Sequence, residues 1–268
     1  LNKRGSALLG LHSLLMMVFL YLPILMIVLY SFNNTRLSGS WEGFTFDWYL
    51  SLLDNRHVKE ALINSLSIAL VSTAVSTVLG TLAALSLRTL SRRSRGGLNG
   101  LLYLPVIIPD IIMGLSLLVL FSQLQLELSK LTVMIAHITF SLSYVYVVVS
   151  ARLANMGRQL EEAAMDLGAS GWQTFRHVTL PQIAPGMIAG ALIAFTLSLD
   201  DFMVSFFVAG PSSTTLPIYI YGQVKRGISP EINALCTLLI LVSVILILLA
   251  QYMLNRGKGQ KKQKALPF

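Results

Sequence analysis

Six apolar stretches, near residues 8–32, 62–87, 101–121, 131–150, 185–209 and 233–254, are each long enough to cross a bilayer as a helix, which takes about 20 residues. No other feature constrains the fold as much. The first stretch is too long for the core of a signal peptide and lacks a clear small-x-small cleavage site, so it reads as a retained anchor. Charged residues make up only 12% of the chain and apolar ones 54%, whereas a soluble domain carries about a quarter charged residues. The expectation is an all-α polytopic membrane protein with six transmembrane helices. Residues 1–61 would form an anchor helix and an outer loop, 62–254 the membrane core, and 255–268 a basic tail.

The net charge of +8 raises nucleic acid as a partner until the charges are located. Lys3 and Arg4, then Arg88, Arg92, Arg93 and Arg95, then Arg256, Lys258, Lys261, Lys262 and Lys264 fall on one side of the alternating spans. With the balanced segment 151–184 that side carries +11, while the opposite loops 33–61, 122–130 and 210–232 carry −1, 0 and +1. Cytoplasmic loops concentrate Lys and Arg, so both termini and the 151–184 segment are expected in the cytoplasm. Basicity here reports topology, and no nucleic acid partner is expected.

Cys236 lies in an apolar run and has no second cysteine to pair with; it reads as a small buried hydrophobe. Trp41, Phe44, Phe46, Trp48 and Tyr49 crowd the outer end of the first span. Both a membrane-interface belt and an outer docking surface fit them. Asn33-Asn34-Thr35 matches a glycosylation acceptor, a pattern common by chance. No internal duplication is evident.

Residues 161–181, EEAAMDLGASGWQTFRHVTLP, form a charged, glycine-punctuated segment between the fourth and fifth spans. Leu153, Leu160 and Leu167 recur at sevens with Ala163 and Ala164 between them, which predicts one apolar stripe on a helix of about four turns. Gly168 supplies the stop. A second short helix is expected from about Gly171 to Val178, with Pro181 breaking it before the fifth span. Glu162 and Asp166 are a like-charge pair at i and i+4, mildly unfavourable on an isolated helix, and Arg158 offsets it from a position facing Glu161 and Glu162. A solvated amphipathic loop and a surface waiting for a partner both fit this periodicity.

Asp110, Asp200 and Asp201 lie inside spans, where an ionised carboxylate at the bilayer centre costs roughly 2.5–3.5 kcal/mol. Helical rise puts Asp110 near the midplane and the pair somewhat beyond it. Asp201 shares a face with Ala194, Ser198 and Ser205, a small polar stripe suited to lining a passage. Pro105 and Pro109 precede Asp110 and free the carbonyls of Leu101 and Pro105, which beside a carboxylate favour cations. A plain proline kink with a hydrogen-bonded aspartate fits the same residues. His137 reads as a neutral, hydrogen-bonded packing residue, and Gly186, Gly190 and Ala194 as a small-residue face for close helix approach.

Glu162-Ala163-Ala164, then Gly168, then Val178-Thr179-Leu180-Pro181, resembles the E-A-A…G…I-x-L-P signature of ABC importer permeases, with Val178 in place of the isoleucine. The resemblance implies that the hairpin of residues 152–181 docks on an ATP-hydrolysing subunit through Glu162, Ala163, Ala164, Gly168, Leu180 and Pro181. No G-x-x-x-x-G-K-[ST] phosphate loop occurs, so ATP hydrolysis is assigned to a separate subunit, with no cofactor or metal expected here.

The stretches at 41–49, 104–121, 136–153, 195–217 and 227–235 resemble the spermidine/putrescine permeases. That likeness implies a polyamine pathway with Asp110, Asp200, Asp201, Ser198 and Ser205 as its candidate residues. It also implies a bacterial cytoplasmic (inner) membrane location and, as partners, a related permease subunit, an ABC ATPase dimer and a periplasmic or extracytoplasmic substrate-binding protein. An importer for another cationic or metal substrate, and an ion-coupled secondary carrier using the same acids, remain as alternatives. Carriers commonly show two related halves.

Overall fold

The computed structural model describes residues 3–35, 40–227 and 229–259; the lysines expected at 261, 262 and 264 in the basic tail lie outside the described residues. In chain order the helices are α1 (Lys3–Tyr30), α2 (Asp47–Asp54), α3 (Arg56–Thr89), α4 (Arg92–Ile107), α5 (Asp110–Gln123), α6 (Lys130–Ala154), α7 (Gln159–Asp166) and α8 (Gly171–Thr174). A π-helical turn, Phe175–Thr179, leads into α9 (Leu180–Asp200), followed by α10 (Met203–Val208), α11 (Leu216–Val224) and α12 (Pro230–Gly259). Among the described residues, five helical stretches are long and apolar enough to cross a membrane, and six when the bent pair α4–α5 counts as one.

The chain divides into two compact units. The first holds residues 1–59 and 219–242. Its loop after α1 is folded tightly on itself. Trp48 donates through its indole N–H to the Asn33 carbonyl at 2.7 Å, Asn33 Nδ2 donates to the Ser40 carbonyl at 2.6 Å, and the Glu42 N–H donates to Asn33 Oδ1 at 3.0 Å. Phe32, Phe44, Phe46 and Tyr49 form one ring cluster, with Phe32 and Phe44 stacked at 5.1 Å. Asn33 is buried and both ends of its amide are engaged, so a glycan has no access to it.

The second unit holds residues 60–218 and 243–268. Its centre is the pairing of α6 with α9. Gly190 lets the two backbones approach, since a Cβ there would sit 3.4 Å from the Val145 Cα, and Gly186 meets the Arg152 side chain at 3.0 Å. The small-residue face therefore packs on α6. One apolar cluster centres on Val133, Ala136, Phe140, Val204 and Val208, and another on Val145, Val149, Leu153, Ile183 and Ala194.

Two of the expected spans are broken. The third bends by 106° between α4 and α5, far more than a proline kink within one helix. Pro105 is accommodated inside α4, and the break falls at Ile108 (φ −70°, ψ 132°) and Pro109. A residue before proline is pushed out of the helical region, so Pro109 ends α4 and caps α5. The fifth span begins earlier than residue 185 and stops earlier than 209. It runs helically from Gly171 to Asp200, and Asp201 is extended (φ −63°, ψ 123°) before α10 starts.

Pro181 does not break the helix as expected. The π-helical turn ahead of it widens the hydrogen bonding to i→i−5, with the Leu180 N–H donating to the Phe175 carbonyl, and the proline lies in the first turn of α9, where its missing N–H is least costly. The expected four-turn helix through Leu153, Leu160 and Leu167 is also two pieces. α6 ends at Ala154 and α7 starts at Gln159. Leu153 is buried in the bundle, whereas Leu160 and Leu167 are exposed on the hairpin.

Candidate coupling hairpin and acidic helix breaks

The hairpin is built from two local devices. At the end of α7 the Ala169 N–H donates to the Ala164 carbonyl at 3.0 Å and the Gly168 N–H to the Met165 carbonyl at 2.9 Å, with Gly168 at φ +91°. This is the paired hydrogen-bond stop that a left-handed residue makes possible. Ser170 then caps α8 reciprocally: its Oγ accepts from the Gln173 N–H at 3.3 Å, and its own N–H donates to Gln173 Oε1 at 2.8 Å. Of the signature residues, Glu162 and Ala163 are exposed, Ala164 is half-buried, and Gly168 lies at the tip. Leu167 is 90% exposed and Trp172 67%, so the hairpin presents apolar side chains that the described residues leave largely uncovered. Leu180 and Pro181 open α9 and join the hairpin to the membrane helix.

What fastens the hairpin is a residue outside the signature. Glu161 Oε1 lies 2.9 Å from Arg88 Nη1 at the end of α3 and accepts from Thr179 Oγ1 at 2.7 Å. Arg158 donates to the Arg88 carbonyl at 3.2 Å. In the sequence the pair is only an acid beside the signature and an arginine at the end of the second span. The hairpin is thus fastened to α3 as well as to α9.

The three membrane acids occupy two helix breaks. Asp110 is the first residue of α5, where a carboxylate complements the helix dipole, and it is exposed in this chain. Asp200 is the last residue of α9, also exposed, and accepts from Ser243 Oγ at 3.0 Å. Asp201 points elsewhere. Its carboxylate takes the N–H groups of Val204 and Ser205 at 3.2 and 2.8 Å, capping α10, and Oδ2 lies 3.2 Å from His137 Nε2. Ser198 and Ser205 are buried and both meet the His137 ring, at 2.6 and 2.9 Å. The stripe of Ser198, Asp201 and Ser205 therefore closes on an imidazole inside the protein, and Asp110 and Asp200 are the acids left open. Among the described residues no group of three His, Cys, Asp or Glu could hold a metal ion.

Membrane-length helices, two of them interrupted, and an exposed hairpin between the fourth and fifth spans are the architecture of a polytopic membrane protein. The model of the family described as "Binding-protein-dependent transport system inner membrane component" matches residues 76–260. The chain is 43% identical over 255 residues to the putrescine transport system permease protein PotI of Escherichia coli K12, covering 92% of this chain and 91% of that one. It is 41% identical over 233 residues to the spermidine/putrescine transport system permease protein PotC of the same strain, covering 87% and 88%. Its fold matches a bacterial ABC transporter involved in the import of the acidic polysaccharide alginate, with a TM-score of 0.73 at 20% identity over 95% of this chain and 96% of that one. The chain belongs to the family of inner membrane components of binding-protein-dependent transport systems. It is a membrane-spanning transport subunit of the type I ABC importer fold, and ATP hydrolysis belongs to a separate subunit.

Proposed function

We propose that this chain is one permease subunit of an ATP-driven importer of polyamines, putrescine and/or spermidine. The single observation that carries the reading is the pair of open carboxylates, Asp110 and Asp200, each at a broken membrane helix. Its support from outside the chain is the similarity to PotI and PotC. Polyamines are linear and multiply protonated at neutral pH. Two spaced carboxylates beside freed backbone carbonyls suit successive ammonium groups, because a membrane carboxylate is costly unless a cavity or a cation meets it. Asp201, Ser198 and Ser205 serve the same pathway from behind, by holding the fifth-span break.

In this reading the exposed face of the hairpin, with Glu162, Ala163 and Ala164, seats on one subunit of an ATPase dimer, and Gly168, Leu180 and Pro181 pass the movement into α9. A related permease fills the second cleft, and a substrate-binding protein delivers cargo from outside. Both termini face the cytoplasm, as the +11 charge on that side supports. The test is putrescine uptake into proteoliposomes holding the whole complex. Asp200→Asn and Asp110→Asn are each expected to raise the apparent KM or lower the rate roughly five- to a hundredfold, equivalent to about 1–3 kcal/mol. Wild-type kinetics in both variants would remove the polycation argument.

A further inference from the structure

His137 is completely buried on α6, and both of its ring nitrogens are engaged. Its partners are distributed in a particular way. Ser198, 2.6 Å from Nδ1, is in the last turn of α9; Asp201, 3.2 Å from Nε2, is the extended residue at the break; Ser205, 2.9 Å from Nε2, is in the first turn of α10. One imidazole thus touches the chain before, at and after the interruption of the fifth span.

A neutral ring satisfies every partner in the cluster. An ionised Asp201 only accepts, and it takes two backbone N–H groups of α10. With the ring proton on Nε2, pointing to Asp201 and Ser205, Nδ1 is left to accept from the Ser198 hydroxyl. Space-filling alone would be served by an apolar side chain, since a buried polar group left unpaired is costly. The polarity of this residue is spent on the break.

The consequence reaches beyond the fifth span. α10 has six residues, too few to persist as an isolated helix, so its placement comes from its anchors. At its start it is capped by Asp201, which His137 holds; at its end Thr132 Oγ1, also on α6, lies 2.7 Å from the Val208 carbonyl oxygen. α10 then lies directly on α5 at Gly114, where a Cβ would come within 2.9 Å of the Phe207 ring and 3.2 Å of the Val204 Cα. Asp110 is the first residue of that same α5.

We propose that His137 is a positioning residue for transport: by bridging Ser198, Asp201 and Ser205 it fixes the turn after α9 so that Asp200 is presented to the cargo, and through α10 and α5 it sets the place of Asp110. The imidazole itself touches no cargo. The inference rests on the polyamine reading of Asp200, and a double-mutant cycle separates the two.

The experiment compares putrescine uptake kinetics of the intact complex in proteoliposomes for wild type, His137→Leu, Asp200→Asn and the double variant. Assembly is checked by co-purification of the partner subunits, and His137→Gln is included as a polar rescue. His137→Leu is expected to raise the apparent KM about tenfold, and His137→Gln to recover part of it. In the Asp200→Asn background, His137→Leu should add less than about twofold, because residues acting as one unit are not additive. Full additivity, or an unchanged KM in His137→Leu, would overturn the proposal while leaving the Asp200 reading intact. Wild-type kinetics in Asp200→Asn would overturn the proposal, and wild-type kinetics in Asp110→Asn as well would overturn the polyamine reading with it. Should His137→Leu fail to assemble, Ser198→Ala carries the same cycle, with about threefold in place of tenfold and the same deciding comparison.

Discussion

Asp200 and Asp201, adjacent in sequence, send their carboxylates to different helices: Asp200 accepts from Ser243 on α12 at 3.0 Å, and Asp201 meets His137 on α6 at 3.2 Å. The extended backbone of Asp201 produces the divergence, and it gives the two acids different work.

That difference is measurable as stability. Asp201→Ala removes the cap of α10, worth about 0.5–2 kcal/mol, and strands the ring proton of His137, a further 1–3 kcal/mol or so. Asp200→Ala removes a partly solvated contact and should stay within about 0.5 kcal/mol of wild type. Thermal unfolding of the detergent-solubilised complex should therefore show a clear drop in Tm for Asp201→Ala alone. Equal drops would contradict the assignment.

The hairpin should fail in coupling without failing to fold. Nothing lies within 4 Å of a Cβ added at Gly168, but its φ of +91° strains any other residue, at about 1–2 kcal/mol. Gly168→Val and Glu162→Lys are expected to reach the membrane at wild-type levels and to lose substrate-stimulated ATPase activity in the assembled complex. Normal stimulation in both would refute the docking role.

Much of this was readable in the chain, and the exceptions share a cause. The six spans, the acids, the Gly168 stop and the small-residue face of α9 follow from local pattern: apolar length, spacing and one backbone conformation. The breaks were harder. Pro105 and Pro109 look alike in sequence, yet only Pro109 falls where the chain leaves the helix, and Pro181 is absorbed by a π-helical turn that periodicity does not announce. The Ser198–Asp201–Ser205 stripe was legible as a face, but which surface that face meets depends on α6, more than 60 residues away in the chain for Ser198. Pairings across such separations, Arg88 with Glu161 among them, lie outside local pattern.

The Arg88–Glu161 pair offers a direct check on how the hairpin is mounted. Both side chains are mostly buried, at 16% and 17% exposure, so each single reversal leaves like charges facing each other. Glu161→Arg and Arg88→Glu should each lower coupled ATPase activity severalfold, and the double reversal should recover part of it, with a coupling energy of about 0.5–3 kcal/mol. Strict additivity of the two losses would remove the strut.

The proposed function also sets a stoichiometry: the one hairpin among the described residues would fill one of the two clefts of an ATPase dimer. Native mass measurement of transport-competent complexes should find this chain beside a second, related permease. A competent complex with a single permease copy would contradict this.

What drives uptake separates an importer from an ion-coupled carrier. In proteoliposomes holding the full complex and its binding protein, with ATP and a proton gradient varied independently, putrescine should accumulate only with ATP and at a rate indifferent to the gradient. Accumulation that follows an imposed gradient and persists without ATP would contradict it.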